Sequence, residues 1–416
     1  MKKTFCIKTL GCKVNQYESQ IIREGFLKSG YVETSGTDNA DVCVINTCTV
    51  TSVSDSKSLR AFNNAVSKHK RVIVTGCMVE SKDLDLSKLA GARFIVKNKD
   101  KSRIPELISP RDEKAHITGH VDSVSGLKGH TRVFVKVQDG CDNACSYCKV
   151  RIVRGRSRSR MPEAVIRECE TLIKNGSREI VLTGICLGSY GRDIDKGISL
   201  AGLIKKICNI KGEWRLRLSS IEPKDVNDDL LRQIKIQDRL CKHIHMPFQS
   251  GDDHILKKMN RPYESRDYLD TAAKIRGAVP DAAISTDIMV GFPGETEERS
   301  QNTIAFINAV KPMRIHIFPF SKRKGTRAYD YGDIISDSVK RKREEVLGSL
   351  AEKLAMEFTN KFMGKEVRVL VESKSATNGL LRGYTDRYIK VSFEGPDSLK
   401  GEFANIRLTP ATLLRI

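Results

Sequence analysis

Three cysteines, Cys141, Cys145 and Cys148, stand within eight residues of one another in the run Gln138-Asp-Gly-Cys-Asp-Asn-Ala-Cys-Ser-Tyr-Cys-Lys149. A C-x3-C-x2-C loop this tight turns three thiolates toward one point, as iron–sulfur ligation requires. A structural zinc usually takes four protein ligands, yet the next cysteine is Cys169 and the next histidine His243. Three thiolates on a four-iron cluster leave one iron open for a substrate or cofactor. The other histidines, including His69, His116, His120, His130, His254 and His316, form no ligand-like pair.

A second trio is spread over the first hundred residues. Strand patterns at 4–9, 41–45 and 71–74 alternate with helical spacing at 14–27 and 56–68, which predicts a parallel sheet with right-handed crossovers. Cys12, Cys48 and Cys77 each follow a strand by a few residues. They therefore gather at the carboxyl edge of the sheet, where open α/β sheets bind ligands. Ordinary buried thiols would instead sit within strands, as Cys6 and Cys43 do.

Residues 97–129 are charged and broken by Pro105, Pro110 and Gly126, and read as a domain end and linker. Strands are then expected at 131–137, 179–182, 214–219, 242–246, 283–290 and 313–318, with helical patterns between most of them. Six βα units fit a partial barrel with its chemistry in the loops after the strands. Glycine-punctuated short strands from 367 to 408 suggest a small barrel of the OB type. The fold class is α/β, with domains at 1–120, 127–354 and 355–416.

Lys and Arg number 72 against 51 acidic residues, a formal charge of +21, which favours a polyanionic partner. No apolar run is long enough to span a bilayer, and the N-terminus lacks the apolar core of a signal peptide. A reducing cytoplasm is expected, where clustered cysteines mean metal or catalysis.

The C-x3-C-x2-C loop after a strand resembles the signature of the radical S-adenosylmethionine (SAM) superfamily. Its setting, with Arg154-Gly-Arg-Ser-Arg-Ser-Arg160 following, resembles the methylthiotransferase family. Leu10-Gly-Cys-Lys-Val-Asn15, Asn46-Thr-Cys48 and Gly76-Cys77 resemble that family's N-terminal motifs, and the C-terminal stretch resembles the RNA-binding TRAM domain. The resemblance spans nearly the whole chain and implies a (β/α)6 core. It implies that Cys141, Cys145 and Cys148 carry catalysis, holding a [4Fe-4S] cluster whose open iron is chelated by SAM. One electron from that cluster cleaves SAM to a radical that removes hydrogen from carbon. The resemblance further implies a second [4Fe-4S] cluster on Cys12, Cys48 and Cys77 that supplies or presents sulfur, which a second SAM methylates.

By the same resemblance, Thr183, Gly184, Ser220, Glu222, His245, Gln249, Gly291, Gly294 and Glu295 line the SAM site. Arg154, Arg156, Arg158, Arg160, Lys322, Arg323, Arg382, Arg387 and Lys390 are candidates for RNA contact, with Tyr384 and Tyr388 available to stack on unpaired bases. The expected partners are a tRNA anticodon stem-loop and an electron donor such as flavodoxin or ferredoxin, with no membrane. Residues 10–19 look most like the branch acting on carbon 2 of N6-threonylcarbamoyladenosine at position 37 of tRNA. Lys13 stands where the isopentenyladenosine branch usually has Gln and the ribosomal-protein branch Pro-Lys. Two departures concern the pocket: Lys149-Val-Arg-Ile-Val153 replaces an apolar-Pro-Tyr stretch, and Cys186 stands where Asn or His is frequent. The rival readings are the same chemistry on isopentenyladenosine-37 or on a ribosomal protein, and a non-catalytic RNA-binding protein with structural metal.

Overall fold

The computed structural model describes residues 2–34, 40–108, 121, 123–126, 131–195 and 197–414. Of the histidines considered above, His116, His120 and His130 lie outside these residues.

Strands β1 (Thr4–Thr9), β2 (Val32–Glu33), β3 (Val42–Thr47), β4 (Val72–Gly76) and β5 (Phe94–Val96) form a parallel sheet in the order β2-β1-β3-β4-β5. Central β3, Val-Cys-Val-Ile-Asn-Thr, is buried throughout, as its near-continuous apolar run requires of a strand covered on both faces. The order reverses between β1 and β3, so the crevice for a ligand opens beside the residues that follow those two strands. Helix α1 (Lys13–Lys28) buries polar Asn15, Glu18, Ser19, Gln20 and Glu24 along with its apolar face, because it is wedged between this sheet and the barrel. Helix α2 (Ser52–Val66) starts where the Thr51 side chain accepts from the Ser54 amide. Within the stretch expected to be a linker, 98–108 form short helical turns against α1.

Six parallel strands follow: β6 (Arg132–Lys136), β9 (Glu179–Thr183), β10 (Arg215–Leu218), β11 (His243–His245), β12 (Ala283–Val290) and β13 (Arg314–Pro319). Bridges Leu216–Leu240 and Ser220–His245 join the two halves, so the expected (β/α)6 arrangement is present. Between β6 and β9, β7 (Gln138–Asp139) and β8 (Arg158–Ser159) pair antiparallel and clamp the base of the cysteine loop.

The last sheet is antiparallel, with β14 (Glu366–Lys374), β15 (Leu381–Thr385), β16 (Lys390–Phe393) and β17 (Phe403–Arg407) in the order β16-β15-β14-β17. It packs where the barrel strands begin. Arg217, fully buried, pairs with Glu179 at 2.8 Å, donates to the Asp386 carbonyl at 2.8 Å and lies 4.0 Å from the centre of the Tyr388 ring. The module thus closes the floor of the barrel, opposite the cysteine loop. Tyr388 and Tyr384, expected to stack on bases, instead face Arg132 and Arg217 there.

Candidate functional site

The first cysteine trio is assembled by backbone. Cys12 caps α1, Cys48 follows β3 and Cys77 follows β4. Gly11 has φ +97°, and a Cβ there would lie 2.8 Å from Cβ of Cys48. Gly76 has φ +105°, and its Cβ would collide with the Thr47 carbonyl. Only glycine permits both close approaches. Asn15 ties the loops together, donating to the carbonyls of Leu10 (2.7 Å) and Thr47 (2.9 Å).

The second trio is shaped by partners from elsewhere in the barrel. Ser146 donates through its amide to the Met259 carbonyl (2.9 Å) and through its hydroxyl to that of Lys258 (2.9 Å). Asn260 donates to the Ala144 carbonyl at 2.7 Å. Gln138 donates to the Gly140 carbonyl (2.7 Å) and accepts from the Cys186 amide (2.9 Å). Cys186 is buried against Cys141, whose thiol its hydrogen bond holds below the ordinary range.

Each trio also receives one buried arginine. Arg154 Nε donates to Cys77 Sγ at 3.3 Å, and Arg261 Nη1 to Cys145 Sγ at 3.5 Å. Arg261 is neutralised by Glu222. Arg154 meets Glu18 (2.8 Å) and Asp139 (3.1 Å), and Glu18 also pairs with Lys101 and with Lys136 (2.9 Å). Burial alone would raise the Glu18 pKa; Lys101, Lys136 and Arg154 outweigh it and hold the carboxyl well below its ordinary range. Burial pushes the Cys77 thiol up to about 11 despite Arg154 and Lys101, and the Cys148 thiol likewise to about 11.

The first trio and Cys148 of the second open on one space. A cavity of about 230 Å³ is lined by Cys12, Cys48, Cys77 and Cys148, with Tyr147, Gln249, Met289 and Phe320 among its walls. A wider groove of about 820 Å³ runs from Cys12 and Lys13 past Thr183, Gly184, Ser220 and His245 to Tyr384 and Tyr388 at the floor. Burial, with Arg217 and Arg132 nearby, lowers the Lys13 pKa to about 8.

The donor sets fit iron–sulfur clusters better than single ions. A tetrahedral zinc holds its sulfurs about 3.8 Å apart, yet neither trio has its three sulfurs within 4.8 Å of one another among the described residues. The one close group among them is Cys6, Cys43 and His69. There His69 Nδ1 accepts from the Ala40 amide at 3.1 Å. The ring proton therefore sits on Nε2, facing Cys6 Sγ at 3.8 Å, where a metal would need a lone pair. Gln249 fits a bound ligand as well, since its Oε1 is buried beside the cavity without a hydrogen-bond partner among the described residues.

Other expected contacts fall differently. Gly291, Gly294 and Glu295 line neither the cavity nor the groove; Glu295 accepts from the Gly291 amide and pairs with the buried Arg343 at 2.8 Å, which braces the turn. Glu222 is engaged by Arg261. Arg154, read as an RNA contact, is 5% exposed and holds the two domains together. Arg323, also 5% exposed, donates to the Thr49 carbonyl at 3.0 Å and pairs with Asp55. Arg160 is drawn inward by Glu168 at 2.6 Å and the Tyr17 hydroxyl at 3.0 Å. Arg382 donates to Ser375 (2.9 Å) and Arg387 to the Asp281 carbonyl (2.8 Å), while Lys390 is half-buried. Arg156, Arg158 and Lys322 remain exposed. Sequence reasoning missed Arg261, Gln138 and Tyr147, which carry no spacing signal.

The Radical SAM superfamily pattern matches residues 135–307, Uncharacterized protein family UPF0004 matches 4–96, and the TRAM domain matches 360–413. Threonylcarbamoyladenosine tRNA methylthiotransferase MtaB of Thermotoga maritima is 37% identical, over 98% of this chain and 94% of that protein. The MtaB of Bacillus subtilis is 34% identical over the same shares. The chain belongs to the radical SAM methylthiotransferases. The tRNA-2-methylthio-N(6)-dimethylallyladenosine synthase of Clostridium botulinum is 36% identical, again over 98% and 94%. Among solved structures, the radical SAM methyltransferase TsrM from Kitasatospora setae shares the fold, with a TM-score of 0.57, 13% identity and coverage of 77% and 75%. The cofactors of a methylthiotransferase are two [4Fe-4S] clusters and SAM. No helix among the described residues is long and apolar enough to cross a membrane.

Proposed function

We propose that this methylthiotransferase converts N6-threonylcarbamoyladenosine at position 37 of tRNA, beside the anticodon, to its 2-methylthio derivative. The observation that carries this reading is the shared cavity, which brings Cys12, Cys48 and Cys77 into the same space as Cys148. One nucleobase carbon can then meet both sites without leaving the pocket. Cys141, Cys145 and Cys148 hold one cluster, and Cys12, Cys48 and Cys77 the other. When bound, the clusters and SAM supply the one-electron and sulfur chemistry that no side chain of ordinary pKa can provide.

The chain's own residues position and exclude. Arg154 and Arg261 present donors to thiolate sulfur. Thr183, Gly184, Ser220, His245 and Gln249 offer polar contacts to SAM, while Tyr147 and Phe320 keep the cavity apolar. Arg156, Arg158 and Lys322 are exposed for RNA phosphates, with the TRAM module at residues 355–416 as a further RNA contact. The sheet domain at 1–120 and the barrel domain at 127–354 contribute one trio each. A low-potential one-electron protein such as flavodoxin or ferredoxin delivers the electron, in the cytoplasm. The choice of nucleoside leans on the MtaB relatives; the Clostridium botulinum relative supports isopentenyladenosine as second reading.

Mass spectrometry of tRNA nucleosides from cells lacking the gene tests the reading. Loss of 2-methylthio-N6-threonylcarbamoyladenosine, with its unthiolated precursor accumulating, is expected. Loss of the isopentenyl counterpart instead would move the reading to that branch, and an unchanged nucleoside profile would overturn it.

A further inference from the structure

The charged residues lining the long groove are three cations, Lys13, Arg132 and Arg314, and two carboxylates, Asp287 and Glu372. Three of the five are matched. Arg132 donates to Glu372 at 2.8 Å and to the Tyr388 hydroxyl at 2.9 Å, and Asp287 meets His245 at 3.3 Å. The side chains of Lys13 and Arg314 have no hydrogen-bond or ion-pair partner among the described residues. Both act electrostatically on His243 and His316, so they address the same part of the groove. Burial and surrounding cations leave those two imidazoles neutral, so neither adds positive charge to the groove. Lys13 and Arg314 are half-buried, and at Lys13 the repulsion from Arg217 and Arg132 outweighs the attraction of Glu179 and Asp287, so an anion that paired directly with both cations would be favoured.

We propose that Lys13 and Arg314 hold the threonine carboxylate of the substrate's N6 substituent, and so select the threonylcarbamoyl group over an apolar one. This rests on the nucleoside assigned under the proposed function. Lys13 directly follows Cys12 and lines the groove among the barrel's charged groups, so the groove leads away from the trio assigned to sulfur supply. Carbon 2 and carbon 6 of adenine flank N1 on one edge of the base. A nucleobase presenting carbon 2 to the cavity therefore carries its N6 substituent along that edge into the groove. A prenyl group would leave both cations unpaired, and a site built to bind a polar group discriminates strongly against an analogue that lacks it.

Two other anions share this chemistry: a backbone phosphate and the methionyl carboxylate of SAM. The test separates them. Anaerobic, cluster-loaded protein is titrated, with and without SAM, against labelled anticodon stem-loops bearing N6-threonylcarbamoyladenosine, its neutral methyl ester, or unmodified adenosine at position 37. Wild type should prefer the free carboxylate over the ester by about tenfold or more, the scale of one charge-assisted hydrogen bond. Lys13→Met with Arg314→Met should bring that ratio toward one, and Lys13→Arg should retain it. A ratio that survives the double substitution overturns the proposal. So does a uniform loss across all three loops, which indicates phosphate, or a wild-type ratio present only without SAM, which indicates competition for SAM's own subsite. Product analysis with the same protein, with SAM and reductant and with an isopentenyladenosine-37 stem-loop added to the set, keeps the two readings apart. If wild type thiolates only an isopentenyl stem-loop, the assigned nucleoside fails; if it thiolates the threonylcarbamoyl loop but the ratio survives substitution, this inference alone fails.

Discussion

Nε of Arg154 lies 3.3 Å from Sγ of Cys77, so a side chain that follows the barrel's cysteine loop touches a thiol of the N-terminal sheet. The same guanidinium meets Asn15 at 2.6 Å and Glu18 at 2.8 Å. One buried charge thereby joins the docking of two domains to the electrostatics of the first trio. Donors to ligand sulfur and nearby charge are among the levers that set an iron–sulfur cluster's stability and potential.

Arg154→Met should therefore lose the first cluster selectively. Removing one member of a buried ionic network costs about 3–5 kcal/mol, because its partners stay buried and unpaired. Anaerobic protein should fall from about eight irons per chain to about four, the content of one [4Fe-4S] cluster. Iron and sulfide assays check this, and a variant retaining both clusters would separate Arg154 from cluster binding.

Glu18 gives the docking a pH dependence of definite sign. Its folded pKa is depressed, so its contribution is complete above the unfolded value of about 4.3 and is lost as pH falls through that value toward the folded one. Thermal unfolding of the cluster-free protein should show wild type well above Glu18→Gln at pH 7. The gap should narrow below about pH 4.3. A gap that widened on acidification would contradict the network.

Arginines in this chain divide by burial. Arg323→Ala breaks contacts to Thr49 and Asp55 across the domain boundary and should destabilise the fold by about 3–5 kcal/mol. Arg156→Ala with Arg158→Ala removes exposed charges and should leave stability nearly unchanged. That pair should weaken stem-loop binding and lower the slope of log affinity against log salt by about 0.7–0.9 for each phosphate left without its cation. Titrations at several salt concentrations, alongside unfolding curves, distinguish the two classes.

What could be read beforehand follows the same physical line. Strand periodicity located all six barrel strands, and turn residues beside Cys12, Cys48 and Cys77 marked them as loop thiols, because both signals are local. The two- and three-residue edge strands β2 and β5 were not legible, being too short to show a period. Arg154, Arg160 and Arg323 looked like an RNA-binding surface because sequence shows charge but not its partners; Glu18, Glu168 and Asp55 are 136, 8 and 268 residues away. Tyr384 and Tyr388 were misjudged for the same reason, since the barrel floor they close is built by Arg132 and Arg217 from another domain. Local pattern reports which residues are special, and only the fold reports which way they face.

The central claim is that the first cysteine trio shares one cavity with Cys148 of the second, and that the two trios divide one reaction. A single-turnover assay on anaerobic, reconstituted protein with SAM, reductant and a threonylcarbamoyl stem-loop tests it most directly. Substituting Cys141, Cys145 and Cys148 with Ala should abolish SAM cleavage. Substituting Cys12, Cys48 and Cys77 with Ala should leave SAM cleavage in place while no methylthio product forms. Methylthiolated stem-loop from the second variant, at a yield near wild type, would contradict the account.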